Sequence, residues 1–208
     1  ISAEFDNTPE FVRRVTDTGV TVSIGHTAAT PEQVEAAVDA GATMSTHLGN
    51  GSHANVHRHR NYIWAQLADD RLTAGLICDG FHLPPYAVKV FLRAKGIERC
   101  VLVSDLSGLA GLPPGRYQTN LCELEILDTG KLVVAGQREA LAGASLPIGV
   151  GIVNSMAFAG ISLAEAIAMA TVSPARILQL PPPRLEPGAP ADLVLFDLDD
   201  TFRVRDTI

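Results

Sequence analysis

Four short runs in the first half of the chain each lead into a residue that can ligate a metal or move a proton. Residues 21–25 run into His26, residues 42–46 into His47, residues 71–78 into Asp79-Gly80-Phe81-His82, and residues 99–104 into Asp105. Imidazoles and a carboxylate converging from the ends of separate strands suit a divalent ion and the water it activates. Each residue also has a structural reading. A histidine after a strand can be a hydrogen-bonded structural residue, Asp79 can cap the helix that follows, and His82 can lie on the surface. His53, His57, Arg58, His59 and Arg60 form a basic cluster soon after His47. It reads either as a solvated loop or as an anion site, since Arg and protonated His favour phosphate or carboxylate.

The elements that must position these residues alternate. Residues 21–25 are rich in β-branched side chains and end at a glycine, as a strand does. Thr30-Pro31-Glu32-Gln33 then opens a helix: Thr30 caps it, Pro31 suits its first turn and Gln33 completes a capping box. Gly41 stops that helix. Residues 42–46, 71–78 and 99–104 read as further strands, with a helix over 84–94. Strands separated by helices imply βαβ units, a parallel sheet and the α/β class. In a parallel barrel the C-terminal strand ends, where His26, His47 and Asp105 fall, face the active site.

The pattern changes after Asp105. Glycine and proline cluster over 108–115, and residues 120–127 and 131–134 read as a hairpin around Asp128-Thr129-Gly130. A helical part resumes at about Pro147. Ser162-Leu163-Ala164-Glu165 is a second capping box, opening a helix over 163–169. A short helix over 174–178 precedes Pro181-Pro182-Pro183, and a last strand covers 191–196.

A net charge of −7 without any basic run argues against nucleic acid as a partner. No apolar stretch reaches the roughly 18 residues of a membrane span, and the first residues lack the pattern of a signal peptide. Cys78, Cys100 and Cys122 each fall in a strand-like run with no CxxC pair. They are expected to be buried free thiols in a reducing compartment, which places the protein in the cytoplasm. The chain does not start with Met, so a longer protein is expected.

Taken in order, several of these segments resemble the motif series of the N-acetylglucosamine-6-phosphate deacetylases, within the amidohydrolases. They are Gly25-His26-Thr27, Thr46-His47-Leu48 with Asn50, Asp79-Gly80-Phe81-His82 and Val103-Ser104-Asp105. Leu141-Ala142-Gly143-Ala144-Ser145, residues 169–175 and residues 188–193 continue the series. The resemblance implies a (β/α)8 TIM barrel, of which this chain holds the later half, plus part of a small β-sandwich. It divides the chain into later barrel units over 1–115, a strand-rich insert or sandwich hairpin over 116–136, C-terminal barrel helices over 137–182 and returning sandwich strands over 183–208.

The same resemblance implies roles. His26 and His47 are metal ligands and Asp105 is the general base and later the general acid. Asn50, Gly51 and His82 hold the sugar and its phosphate, Arg58 stands at a phosphate-binding position, and Leu141, Ala142 and Gly143 form a loop against the substrate. The implied cofactor is a divalent metal, zinc first, with iron or another divalent ion as alternatives. The implied partner is a small molecule, a phosphorylated amino sugar, and the implied assembly is a homodimer. The family's metal-binding Glu falls before Ile1, and Glu4 aligns with a later strand. Gly49, Gly51-Ser52 and Leu106-Ser107-Gly108 depart from the family pattern in the sugar pocket. They leave open an amidohydrolase for another amide or a cyclic amide, and a non-catalytic binding domain on the same fold.

Overall fold

A computed structural model describes residues 1–208. The first half alternates helix and strand: α1 (Thr8–Thr16), β1 (Ser23–Ile24), α2 (Pro31–Asp39), β2 (Met44–Ser45), α3 (Tyr62–Ala68), β3 (Thr73–Leu76), α4 (Pro85–Lys95) and β4 (Cys100–Leu102). The four strands pair in parallel, in sequence order. The protein is therefore α/β, as its sequence pattern predicts. Ile1 lies along the outer side of β1, its ammonium donating to Ser23 O at 2.5 Å and its carbonyl accepting from Gly25 N–H at 3.0 Å.

Local chemistry explains where the helices begin. Thr30 accepts a hydrogen bond from Gln33 N–H while Gln33 accepts one from Thr30 N–H, so two orphan donors of α2 are satisfied at once. Val34, Ala37 and Val38 then bury one face of α2 at the i, i+3, i+4 spacing. They pack with Val12, Ile24 and Leu72, and each fully buried aliphatic side chain contributes about 1.5–3 kcal/mol. In α4 the buried stripe is Val88, Phe91, Leu92 and Lys95. Lys95 is fully buried and donates to Gln66 O at 3.2 Å, a carbonyl that α3 leaves without a backbone partner, and to Asp69 O at 2.6 Å, which also accepts from Leu72 N–H. Burial holds its pKa below the ordinary lysine value.

The second half begins with an antiparallel meander of β5 (Gly115–Gln118), β6 (Glu123–Ile126), β7 (Leu132–Val134) and β8 (Gln137–Leu141). Helices α5 (Ile148–Ala159), α6 (Leu163–Ala170) and α7 (Val172–Ile177) follow. Ile152, Ala166 and Met169 share a core with Leu76, Val88, Phe91, Leu92 and Leu102. β9 (Val194–Leu198) and β10 (Phe202–Thr207) close the chain as an antiparallel hairpin. Phe202 stacks on Phe196 with ring centroids 4.2 Å apart, and it also packs against Gly149 of α5, where a Cβ would come within 2.9 Å. No helix is long and apolar enough to cross a membrane.

The structure departs from the sequence expectations at several points. The expected hairpin is the middle of a four-stranded sheet, whose last strand, β8, falls in the range assigned to C-terminal helices. Cys122 is half-buried in the turn before β6, whereas Cys78 and Cys100 are buried. Burial pushes both of those thiols up to about 12, the inert state expected of structural cysteines.

Candidate functional site

β1, β2 and β4 deliver His26, His47 and Asp105 at the same end of the parallel sheet. All three have positive φ, at 48°, 26° and 54°, and Gln179 is the only other non-glycine residue that does. Left-handed backbone is costly for residues with a Cβ and persists only where the surroundings impose it. Three such residues at the tips of three strands of one sheet mark that end of the molecule as the place to look for chemistry.

The structure brings His26 and His47 together. Their Nε2 atoms are 3.0 Å apart, and the rings meet edge to face at 81° with centroids 4.7 Å apart. His47 is buried, and its Nδ1 has no partner. The polar end of each ring that meets anything is thus Nε2, and what it meets is another imidazole. Zinc–nitrogen bonds of about 2.0–2.1 Å at tetrahedral angles separate two donors by about 3.3–3.4 Å. The pair is within a few tenths of an ångström of that separation, so the donor set fits a shared divalent ion. No third His, Cys, Asp or Glu of this chain joins them in a ligand cluster. Glu4 is engaged elsewhere: it accepts from Thr27 Oγ1 at 2.5 Å, and its carbonyl accepts from Gln33 Nε2.

Hydrogen bonds hold the backbone that carries both imidazoles. Thr27 Oγ1 accepts from Ala3 N–H and Ala29 N–H while donating to Glu4, and Ser2 Oγ donates to His26 O. Burial raises the Glu4 pKa, but the Thr27 and backbone hydrogen bonds outweigh it and hold the carboxyl below its ordinary value. Gly51, at φ +59°, lies against the His26 ring, where a Cβ would sit 2.7 Å from Nδ1 and Cε1. Asn50 folds back on the other histidine, both its N–H and its Nδ2 donating to His47 O. The Tyr62 hydroxyl accepts from His53 N–H and bonds His53 Nδ1, both at 2.9 Å, and so ties down the loop that carries Gly51.

Asp105 is exposed, and the segment after β8 pins its backbone. Ala144 N–H donates to Asp105 O at 3.0 Å and Ser107 N–H donates to Ala144 O at 2.9 Å, a single parallel bridge. Gly143 sits directly over that carbonyl. Leu141 ends β8, and Ala142 N–H donates to Leu132 O. His82 pairs with Asp79 at the tip of β3, between the strands that carry His47 and Asp105. Arg58 is exposed, and its side chain forms no hydrogen bond or ion pair; its carbonyl accepts from Trp64 Nε1. Of the basic cluster, Arg60 pairs with Glu32 at 3.0 Å, and His57 Nδ1 accepts from Arg60 N–H. Sequence reasoning did not single out Tyr62, since a lone Tyr carries no motif signal, and it placed Thr27 and Ala144 in motif runs without giving either a role.

Two facing imidazoles and, at the tip of β4, a carboxylate stand at one end of the parallel sheet, each on left-handed backbone. The amidohydrolase family model matches residues 3–208, and the chain belongs to that family. It is 36% identical over 199 residues to N-acetylgalactosamine-6-phosphate deacetylase of Escherichia coli O157:H7, covering 95% of this chain and 52% of that protein. It is 34% identical over 215 residues to human N-acetylglucosamine-6-phosphate deacetylase, covering 100% of this chain and 51% of the relative. The crystal structure of N-acetyl-D-glucosamine-6-phosphate deacetylase from Mycobacterium smegmatis superposes with a TM-score of 0.90 at 32% identity, covering 100% of this chain and 55% of that one. The chain spans about half the length of the curated relatives it matches.

Proposed function

We propose that the full-length protein is a metal-dependent amidohydrolase that removes the acetyl group of an N-acetylhexosamine 6-phosphate. The observation that carries this reading is the convergence of His26 and His47 Nε2 at 3.0 Å, within a family whose similar members are named as deacetylases of such sugars. His26 and His47 are the ligands this chain offers to a divalent ion, zinc first because its ligand preferences include imidazole. When bound, the ion supplies Lewis acidity for the acyl carbonyl and lowers the pKa of water.

The chain's own residues do the rest. Asp105 takes the proton of the attacking water and later delivers it to the leaving amine nitrogen, one group acting as base and then as acid. Its left-handed backbone at the tip of β4 is held by the hydrogen bond from Ala144 N–H. Asn50, Gly51 and His82 hold the sugar and phosphate, Arg58 offers a free guanidinium to the phosphate, and Leu141, Ala142 and Gly143 form the loop beside Asp105.

We assign the parallel sheet to the later half of a (β/α)8 barrel. Residues 1–115 are its later units, the antiparallel meander is an insert, α5 to α7 are C-terminal barrel helices, and residues 183–208 return to a small β-sandwich. A homodimer is the proposed assembly. Zinc content, with acetate release from N-acetylglucosamine and N-acetylgalactosamine 6-phosphates, tests the reading. A purified full-length protein that binds zinc and releases acetate supports it, and one that does neither removes it.

A further inference from the structure

The Asp79–His82 pair has a geometry that capping a helix does not require. Asp79 Oδ1 accepts from the N–H groups of Phe81 and His82 at 2.8 and 2.9 Å, which closes a tight turn made possible by Gly80 at φ +86°. Asp79 Oδ2 is left over from that turn, and it meets His82 Nδ1 at 2.7 Å. The His82 and Asp79 side chains are 6% and 7% exposed, so the pair is held away from solvent.

Burial raises the Asp79 pKa, but the hydrogen bonds from the His82 ring and the turn outweigh it, and the carboxyl stays below its ordinary value. An ionised carboxylate only accepts hydrogen bonds, so the ring nitrogen facing it must carry the proton. In neutral imidazole the other nitrogen, Nε2, is then an acceptor. Nε2 of His82 makes no hydrogen bond within the chain, and the pair sits between the strand tips that carry His47 and Asp105.

We propose that Asp79 is a positioning residue for substrate: it locks the His82 ring in the Nδ1–H form and leaves Nε2 to accept a hydrogen bond from a hydroxyl or amide N–H of the bound sugar. The assignment rests on the proposed substrate role of His82. It makes His82 a reader of a substrate donor rather than a ligand of phosphate oxygen, which has no hydrogen to give in its ionised form.

Asp79→Asn separates this role from that of a turn former. Asn keeps an oxygen for the two turn N–H groups, but it turns an NH2 toward the ring, so Nδ1 must accept and the proton moves to Nε2. The experiment uses the full-length protein with 15N-labelled histidine, the His82 signals being assigned through His82→Gln. Long-range proton–nitrogen spectra should show Nδ1 protonated in the wild type and Nε2 protonated in Asp79→Asn. KM for N-acetylglucosamine 6-phosphate should rise about tenfold, the scale of one lost hydrogen bond, with kcat changed less. An unchanged tautomer would overturn the proposal, and so would a switched tautomer with an unchanged KM. A wild-type protein without deacetylase activity would remove the functional reading instead, and the spectra would still decide whether Asp79 sets the ring.

Discussion

Gly51→Ala is the perturbation whose effect follows most directly from the geometry. The new Cβ would lie 2.7 Å from His26 Nδ1 and Cε1 and 3.0 Å from Cγ. Non-bonded carbon contacts settle at about 3.5–4.0 Å, so the imidazole must retreat by roughly 0.8 Å. A metal–ligand distance tolerates about 0.2 Å, so the ring cannot keep both its van der Waals contacts and its place beside His47. The backbone adds strain of about 1–2 kcal/mol, because φ at Gly51 is +59° and alanine resists that region. For a domain of this size that strain lowers Tm by about 2–8 °C. Zinc affinity should fall about 10–100-fold, comparable to the loss of a supporting contact around a metal ligand. The assay is zinc titration against a competing chelator, beside calorimetry. Gly108→Ala is the control, since a Cβ there meets nothing within 4 Å and its φ is ordinary. If Gly51→Ala held zinc as tightly as Gly108→Ala, the placement of His26 in the metal site would be refuted.

Three further outcomes are expected. Arg58→Ala should raise KM for a phosphorylated substrate much more than for its unphosphorylated analogue, with kcat little changed; equal effects on both would make Arg58 a surface residue. Lys95→Ala should destabilise the protein by about 2–5 kcal/mol in urea unfolding, because it opens a cavity, strips Gln66 O of its donor and takes one of two donors from Asp69 O. Lys95→Met keeps the volume and drops the buried charge, so it should cost about 1 kcal/mol; equal losses in the two variants would contradict the packing account. Thr30→Ala should cost about 1 kcal/mol by removing the capping box of α2, measured as a shift in the denaturation midpoint, and Thr30→Ser should restore most of it.

Much of the fold was legible because local signals and tertiary packing agree. Thr30 with Gln33, and Ser162 with Glu165, form the capping boxes their spacing predicts, and the parallel strands fall inside the apolar runs that predict them. β5 and β8 were not legible. Gln137-Arg138-Glu139 is exposed and polar, so no apolar run announces a strand, and β8 exists because β7 offers it a hydrogen-bonding edge. Helices α1 and α3 carry weaker signals: Asn7 makes no side-chain cap for α1, and α3 is only seven residues long. At the site, the residue types at the strand tips were readable, but their left-handed backbone and the Nε2 convergence depend on sheet geometry that no single segment encodes. The contact of Gly51 with His26, and the hold of Ala144 on Asp105, join residues distant in sequence.

The account stands or falls on Asp105. Asn tolerates left-handed backbone as Asp does, so Asp105→Asn should keep the φ of +54° and the Ala144 bridge. It removes only the capacity to take a proton. The decisive measurement is kcat for acetate release by the full-length enzyme, taken together with zinc content and Tm. The account predicts a fall in kcat of about 10²-fold or more, the scale of lost acid–base catalysis, with zinc and Tm close to wild type. Near-normal turnover in Asp105→Asn would contradict it.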